Sequence, residues 1–409
     1  MAKMTIADVV LTGKTCFVRV DFNVPQDKVT NEVTDWTRVD AATKTIKYLV
    51  EEGAKVVLAS HCGRPKGEKN AKYSLACVMP RLNENLGKAA KFVPDCIGDE
   101  MVAAVKAMAP GDVILLENTR FYPGEEAKSE ADSDAFAAQV APEGLYDVYV
   151  NDAFGTSHRK NASMWAVAKR IGVRVAGFLL ATEAEQLTKV YNAPQEGFIV
   201  VLGGAKVSDK IGVIKSLLPK AEKMLIGGAM SWAFFKAQGK EIGESLCDDE
   251  SVASARDILT NMSEHLGKLV LPVDVHMMNK ADEAEKKQVP ADQILPGWDA
   301  LDIGPETAKM YSDFVLAAKT VFWNGPMGYF EKPPFDAGTL AVAKAMGDCP
   351  GFNVVGGGDS VAAVVQMGLA EKIDHVSTGG GASLELLEFG SLPGIDVLDE
   401  KCGCSCCGQ

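Results

Sequence analysis

The sequence predicts an α/β protein of two doubly wound parallel-sheet (Rossmann-like) domains, facing each other across a cleft and joined by a helix. Three observations predict it. Strand-sized apolar runs rich in Val, Ile and Leu recur along all 409 residues, each stopping at a glycine or polar turn before a helix-like segment. The runs are near-continuous rather than alternating, as parallel strands covered on both faces are. The series breaks once, near residue 182, before a fresh strand opens at FIVVLGG.

The first-half runs are CFVRVDFNVP, AKVVLASHCGRP, DVILLENTRF and DVYVNDAFG, and they set the N-terminal domain at 1–182. TEAEQLTKVYNA then reads as a helix, capped by Thr182 with Glu185 three residues on, and ending before Pro194. Residues 183–197 are therefore the interdomain helix and hinge. The second-half runs are FIVVLGGAKV, KMLIGGAM, KLVLPVDV, TVFWNGPMG, NVVGGGDS and HVSTGGG, and they set the C-terminal domain at 198–389. No fixed-period repeat and no low-complexity linker occurs.

Composition bounds the function. Hydrophobic residues make up 47% and charged residues 24%, ordinary for a chain with real cores. The longest apolar runs are too short to span a membrane, and the first residues carry no secretory signal pattern, so the expected location is the cytoplasm. A net charge of −13 argues against a general nucleic-acid binder. Residues 1–182 balance 23 basic against 23 acidic residues, while the remainder holds 19 and 32. An anionic metabolite thus meets no net repulsion in the first domain. Six of the ten cysteines are scattered without metal spacing and read as reduced thiols.

Ligands of open α/β sheets bind beyond the carboxyl ends of the strands. In the first half those ends carry side chains: Asp21 and Asn23, His61 and Arg64, Arg120, then His158 and Arg159, with Arg38 in a helix-like TRVDAATKTIKYL. One arginine at a strand end is commonly a surface ion pair. Four that converge suit a small, multiply anionic acid, because the guanidinium fork matches carboxylate and phosphate. In the second half the ends carry backbone: GGAK, IGGAM, NGPMG, GGGDS and TGGGAS. Glycine lets a polyphosphate approach main-chain N–H groups at a helix start. Asp359 is placed to hold Mg²⁺, and Lys206 and Lys210, four apart, share one face if helical. The P-loop, dinucleotide, serine-hydrolase and zincin signatures are absent. Residues alone thus point to two lobes, one for a small acid and one for Mg-nucleotide, with a phosphoryl group passing between them.

The ordered set RVDFNVP, SHCGRP, LLENTRF, NDAFGTSHR, LGGAKVSDKI, LDIGPET, WNGPMGYFE, GGGDS and STGGGASLELLE resembles the phosphoglycerate kinase family, from about residue 5 to Leu398. The resemblance implies reversible phosphoryl transfer between 1,3-bisphosphoglycerate and ADP, giving 3-phosphoglycerate and ATP, in a monomer whose cleft closes. It assigns Asp21, Phe22, Asn23, Arg38, His61, Arg64, Arg120 and Arg159 to the glycerate. Lys206, Lys210, Gly228, Asn324, Glu331, Gly357, Gly358, Asp359 and Ser360 go to the nucleotide, with Glu331 at the ribose and Asp359 at Mg²⁺. Arg38, Lys206 and Gly380 of the Gly379–Gly381 loop would stabilise the group in flight. The segment at about 390–401 is expected to pack back on the first domain.

Three departures stand out. Lys160 and Asn161 follow Arg159 where the family has a second histidine after HR. WDALD has Ala300 where the family has glycine. The tail, 402–409, reads CGCSCCGQ and lies beyond the family's end. Its first reading is a redox-exposed extension, its second soft-metal binding and its third lipidation. Two other functions compete with the kinase: a dehydrogenase, which lacks its fingerprint, and a catalytically weak nucleotide-binding or scaffolding protein, motivated by Asn161 and Ala300.

Overall fold

The structure, a computed structural model, describes residues 3–401. The chain divides into two units, Met1–Glu185 with Ser391–Gln409, and Gln186–Gly390.

Six apolar runs build the sheet of the first unit: β1 Thr15–Arg19, β2 Lys55–Ala59, β3 Lys91–Val93, β4 Val113–Leu116, β5 Val148–Asn151 and β6 Val173–Ala176. Their order is β3-β4-β2-β1-β5-β6, and every pairing is parallel. The four central strands are buried along nearly their whole length, because helices cover both faces. One face packs Val18, Val56 and Leu58 against Val39, Ile46 and Leu49 of the helix Thr37–Glu51. The edge strands β3 and β6 are short and partly exposed, with Lys91 opening the one and Arg174 interrupting the other.

The second unit repeats the plan with β7 Phe198–Leu202, β8 Lys223–Ile226, β9 Leu269–Val270, β13 Thr320–Asn324, β14 Phe352–Gly356 and β15 His375–Val376, again all parallel, in the order β15-β14-β13-β7-β8-β9. A three-stranded antiparallel sheet interrupts it: β10 Asp274–Asn279, β11 Lys286–Pro290 and β12 Trp298–Ile303, in the order β11-β10-β12. KLVLPVDV is therefore two strands in two sheets, parted around Pro272. β11 is nearly all exposed and opens with Lys286 and Lys287, a charged edge that discourages further pairing. Ala300 of β12 is buried here with Trp232, Phe235, Met277 and Trp298, and its N–H donates to Ser245 Oγ at 2.9 Å.

The helix expected from Thr182 begins four residues earlier, at Phe178, and runs to Tyr191. Its start is fixed by residues distant in sequence. Phe178 N–H donates to Thr45 Oγ at 2.9 Å, and the N–H groups of Leu179 and Leu180 donate to Asp152 Oδ1 at 2.9 and 3.2 Å. These are N-cap bonds supplied across the fold, so the local Thr182–Glu185 pattern marks an interior turn.

Residues 391–400 complete the first unit. Asn151 Nδ2 donates to the Gly394 carbonyl at 2.8 Å, Gly394 N–H donates to the Ser157 carbonyl at 2.8 Å, and Arg174 Nη2 pairs with Asp399 at 2.6 Å. Residues 402–409 lie outside the described residues, so the readings of the tail have no structural counterpart.

Burial pushes the Asp152 carboxyl up to about 7, although Thr45, Leu180 and Leu179 hydrogen-bond it. The folded state then holds a proton that the unfolded chain, with an ordinary aspartate, releases near pH 4. The sign follows: this contribution is present at low pH and is lost as pH rises through about 7. Asp152→Asn keeps the acceptor and removes the titration. It should gain stability relative to the parent on going from pH 5 to pH 8, measured by urea denaturation at both. An identical difference at the two pH values would refute this account.

Candidate active site

Because all six strands of each sheet run the same way, the residues following them gather at one edge. In the first unit β4, β2, β1 and β5 are neighbours, and they deliver Arg120, His61 with Arg64, Asp21 with Asn23, and Arg159 respectively. Arg38 stands in the first turn of the helix Thr37–Glu51, 41% exposed, with Nη1 2.7 Å from Asp21 Oδ2. Asn23 Oδ1 accepts Gly63 N–H at 2.8 Å, and Arg120 Nη1 donates to the Gly63 carbonyl at 3.0 Å. Arg120 is buried, pairs with Glu126 at 2.9 Å, and has Nε without a partner. Arg64 and Arg159 are exposed, and Arg159 Nε lies 3.1 Å from His158 Nε2.

Beneath these lies a residue that the sequence reading passed over. Arg19 ends β1 fully buried, donating from Nε to Ser163 Oγ at 2.8 Å and from Nη1 to the Val20 carbonyl. Its Nη2 is 3.3 Å from His61 Nδ1. Arginine can only donate, so Nδ1 must accept and the imidazole proton sits on Nε2. Burial and then the charges of Arg19, Arg120, Arg38 and Arg159 hold His61 well below the usual histidine range. His61 is therefore neutral, and four guanidiniums act on one ring. The only sequence signal for Arg19 was a charged residue inside an apolar run. Phe22, by contrast, buries its side chain completely in the core, so only its main chain belongs to this edge. Asn161 is half-buried, and its carbonyl accepts from Met164 and Trp165.

In the second unit the glycines divide into two kinds. Some are required by loop packing. A Cβ on Gly203 would lie 2.0 Å from the Pro326 carbonyl oxygen, one on Gly228 2.6 Å from Gly204 N, and one on Gly325 2.2 Å from the Gly203 oxygen. The loops after β7, β8 and β13 thus stack main chain on main chain, which corrects the expectation that these glycines only make room for a ligand. The others face open space: a Cβ on Gly358, Gly380 or Gly381 would meet nothing within 4 Å. They stand at the starts of two nine-residue helices, Gly358–Gln366 and Gly381–Phe389, whose first N–H groups have no intrahelical acceptor.

Ser360 is buried, and its Oγ accepts Gly325 N–H at 2.6 Å, tying the β13 and β14 loops together. Asn324, 4% exposed, has Nδ2 without a partner beside Gly357. Lys210 donates from Nζ to the carbonyls of Gly203 and Asn324. Burial lowers its pKa to about 8, against the pull of Asp359 and Asp209. Lys206 lies outside any helix, half exposed and 3.6 Å from Asp248, so the two lysines do not share a helical face. Glu331 is exposed in the loop after β13.

Asp359 is exposed in the first turn of Gly358–Gln366, and no group of three or more metal-ligating side chains occurs among the described residues. One exposed carboxylate at a helix start fits Mg²⁺, which is held largely by phosphates and water rather than by a protein cage.

Two parallel α/β units, one ending its strands in arginine and the other in glycine and helix N-termini, define a two-domain phosphotransferase. The model of the family "Phosphoglycerate kinase" matches residues 6–389. Curated phosphoglycerate kinases from Roseiflexus castenholzii and Chloroflexus aggregans are 49% and 50% identical over 403 and 406 residues, each covering 98% of this chain and 100% of the relative. Solved phosphoglycerate kinases from Coxiella burnetii and Pyrococcus horikoshii superpose with TM-scores of 0.85 and 0.82 at 35% and 31% identity, over 97% of this chain and 98% of theirs. The chain belongs to the phosphoglycerate kinase family.

If Lys210 holds the nucleotide phosphates, its lowered pKa makes their binding pH-dependent. Its ammonium is present below about pH 8 and is lost above it. ADP affinity by calorimetry should fall as pH rises from 7 to 9, and Lys210→Met should bind weakly and without that slope. A slope that persists in Lys210→Met would assign the titration elsewhere.

Proposed function

We propose that this enzyme transfers a phosphoryl group reversibly between 1,3-bisphosphoglycerate and ADP, giving 3-phosphoglycerate and ATP. The observation that carries the reading is the arginine cluster around a neutral His61 at one sheet edge, in a chain whose second sheet edge offers helix N-termini and Lys210.

Each residue has a role that its setting supports. Arg64, Arg120 and Arg159 with Asn23 hold the phosphate and carboxyl of the glycerate, and the orphaned Nε of Arg120 receives an acceptor. His61 donates from Nε2 without adding charge. Arg38 exchanges Asp21 for the transferring group and neutralises its equatorial oxygens, as does Lys206 after leaving Asp248. Asn324, Lys210 and the N–H groups at Gly357–Ser360 cradle the nucleotide phosphates, Gly228 admits the nucleotide beside its loop, and Glu331 takes the ribose. The Gly380 N–H stands at the transfer point. Mg²⁺ bound through Asp359 would supply charge neutralisation on the nucleotide phosphates. An acyl phosphate is already activated, so positioning and charge neutralisation suffice and no covalent enzyme intermediate is needed.

Hinge-bending about residues 183–197, action as a monomer and a cytoplasmic location belong to the same proposal. Hinge closure would bring the two ligands into line and exclude water, which would otherwise hydrolyse the acyl phosphate. The reading as an inactive scaffold has nothing to favour it, because every motif arginine and lysine is present.

Purified protein with ATP, Mg²⁺ and 3-phosphoglycerate should turn over rapidly in an NADH-coupled assay and stop on chelation of the metal. Arg38→Ala should lower kcat/KM for 3-phosphoglycerate by roughly a hundredfold or more while ADP affinity changes less than about twofold. Equal losses in both would remove Arg38 from the transfer step.

A further inference from the structure

LDIGPET places Asp302 near the end of β12, fully buried. Its Oδ1 accepts the N–H of Ile303 at 2.9 Å, and its Oδ2 accepts the N–H of Gly338 at 2.8 Å. Gly338 lies in the first turn of the helix Ala337–Asp348, and the residue before that helix, Asp336, makes no side-chain cap. Asp302 therefore caps the helix from another strand. A buried carboxyl is costly unless its oxygens are hydrogen-bonded, so an acid here fixes a position that an apolar side chain could not.

What it fixes is the loop after β13. A Cβ on Gly328, near the start of that loop, would lie 2.2 Å from Asp302 Oδ1, and one on Gly338, at its end, 2.5 Å from the same atom. Neither glycine has a left-handed φ, so close packing against β12, not a turn, requires both. Thr339, also fully buried, accepts the Met327 N–H on Oγ1 at 3.0 Å, and the Leu301 carbonyl accepts the Tyr329 N–H at 2.7 Å. Phe335 is buried with its ring centroid 4.9 Å from that of His276 in β10, and Lys332 pairs with Glu283 at 2.6 Å. Between these ties stands Glu331, exposed. A charged side chain on an untied surface loop would have to be ordered as a ligand binds; here its main chain is already held.

We propose that Asp302 and Thr339 are positioning residues that hold the loop 328–338 so that the Glu331 carboxylate meets the hydroxyl groups of the nucleotide sugar, and that they thereby set the preference for a ribonucleotide over a deoxynucleotide. The proposal rests on the assignment of Glu331 to the ribose. A carboxylate accepts hydrogen bonds from the 2′ and 3′ hydroxyls with its two oxygens, and such charge-assisted bonds discriminate well only where their geometry is fixed. Asp302 holds the loop from β12 at both ends, and Thr339 ties its start to the helix that follows it. Loss of either acceptor leaves a buried main-chain N–H without a partner, and the loop shifts to satisfy it. The phosphates, which lie along other loops, are not held by this device.

The test measures binding of ADP and of 2′,3′-dideoxy-ADP by calorimetry to the full chain and to Asp302→Ala, Thr339→Val and Glu331→Ala, each checked for folding by circular dichroism. The parent should prefer ADP by about tenfold or more, and Glu331→Ala should erase that preference. Asp302→Ala and Thr339→Val should each weaken ADP by about tenfold while dideoxy-ADP stays within about twofold of the parent, so that the preference collapses without loss of phosphate binding. Should Asp302→Ala fail to fold, Thr339→Val decides, because it keeps both Asp302 and the side-chain shape. Folded variants that retain the parent's preference, while Glu331→Ala loses it, overturn the proposal and leave the ribose assignment standing. Equal weakening of both nucleotides also overturns it, since that is what a merely structural role would produce. A preference absent from the parent, or unchanged in Glu331→Ala, overturns the ribose assignment and the proposal with it.

Discussion

The uniform direction of the strands is the constraint on which the rest depends. Every pairing within each six-stranded sheet is parallel, so each strand ends at the same edge. Parallel strands need long crossovers. Residues far apart in sequence are therefore delivered side by side wherever strands are neighbours. The two units use this in opposite ways. The first projects long cationic side chains, which suits a small ligand that must be surrounded. The second removes side chains and presents main chain, which suits a long polyphosphate that must be laid along helix starts.

A buried polar layer makes the first edge definite. Arg19 fixes the tautomer of His61, Ser163 accepts from Arg19, and Glu125 accepts from the Ser163 hydroxyl at 2.6 Å and from its N–H at 3.0 Å. Ser60 Oγ in turn accepts Phe22 N–H at 2.8 Å, joining the β1 and β2 loops. The exposed arginines thus stand on groups whose hydrogen bonds are already made. Asp21 pairs with Arg38, so a cluster that would otherwise repel itself carries its own counter-charge.

Much of this was legible in the sequence because strand ends announce themselves. A run such as VVLAS or VILLEN marks where a strand stops, and the next residues lie at the edge. What was not legible depended on contacts distant in sequence. The helix start at Phe178 is set by Thr45 and Asp152, and no local pattern reports them. Arg19 reads like any charge in a strand until its burial and the position of His61 are known. The β10–β12 sheet escaped because β11 is polar and exposed, with no apolar face to announce a strand. The glycine loops were recognisable as a set, but only distances separate Gly203, which another loop requires, from Gly358, which faces open space.

The return of the chain's end to its beginning has a consequence for biosynthesis. Lys3 pairs with Glu400 at 2.6 Å, Met4 N–H donates to the Asp399 carbonyl at 2.9 Å, and Gly394 fills a space against Ser157 that a Cβ would enter at 2.9 Å. Domains emerging from a ribosome usually fold in order, the N-terminal one first. Here the first unit lacks part of its packing until residues 391–400 leave the exit tunnel. The second unit, made entirely of chain synthesised before residue 391, can be finished while the first still waits. A nascent chain from which residues 186–390 have emerged and residues 391–400 have not would carry one completed lobe and one open to proteases and chaperones.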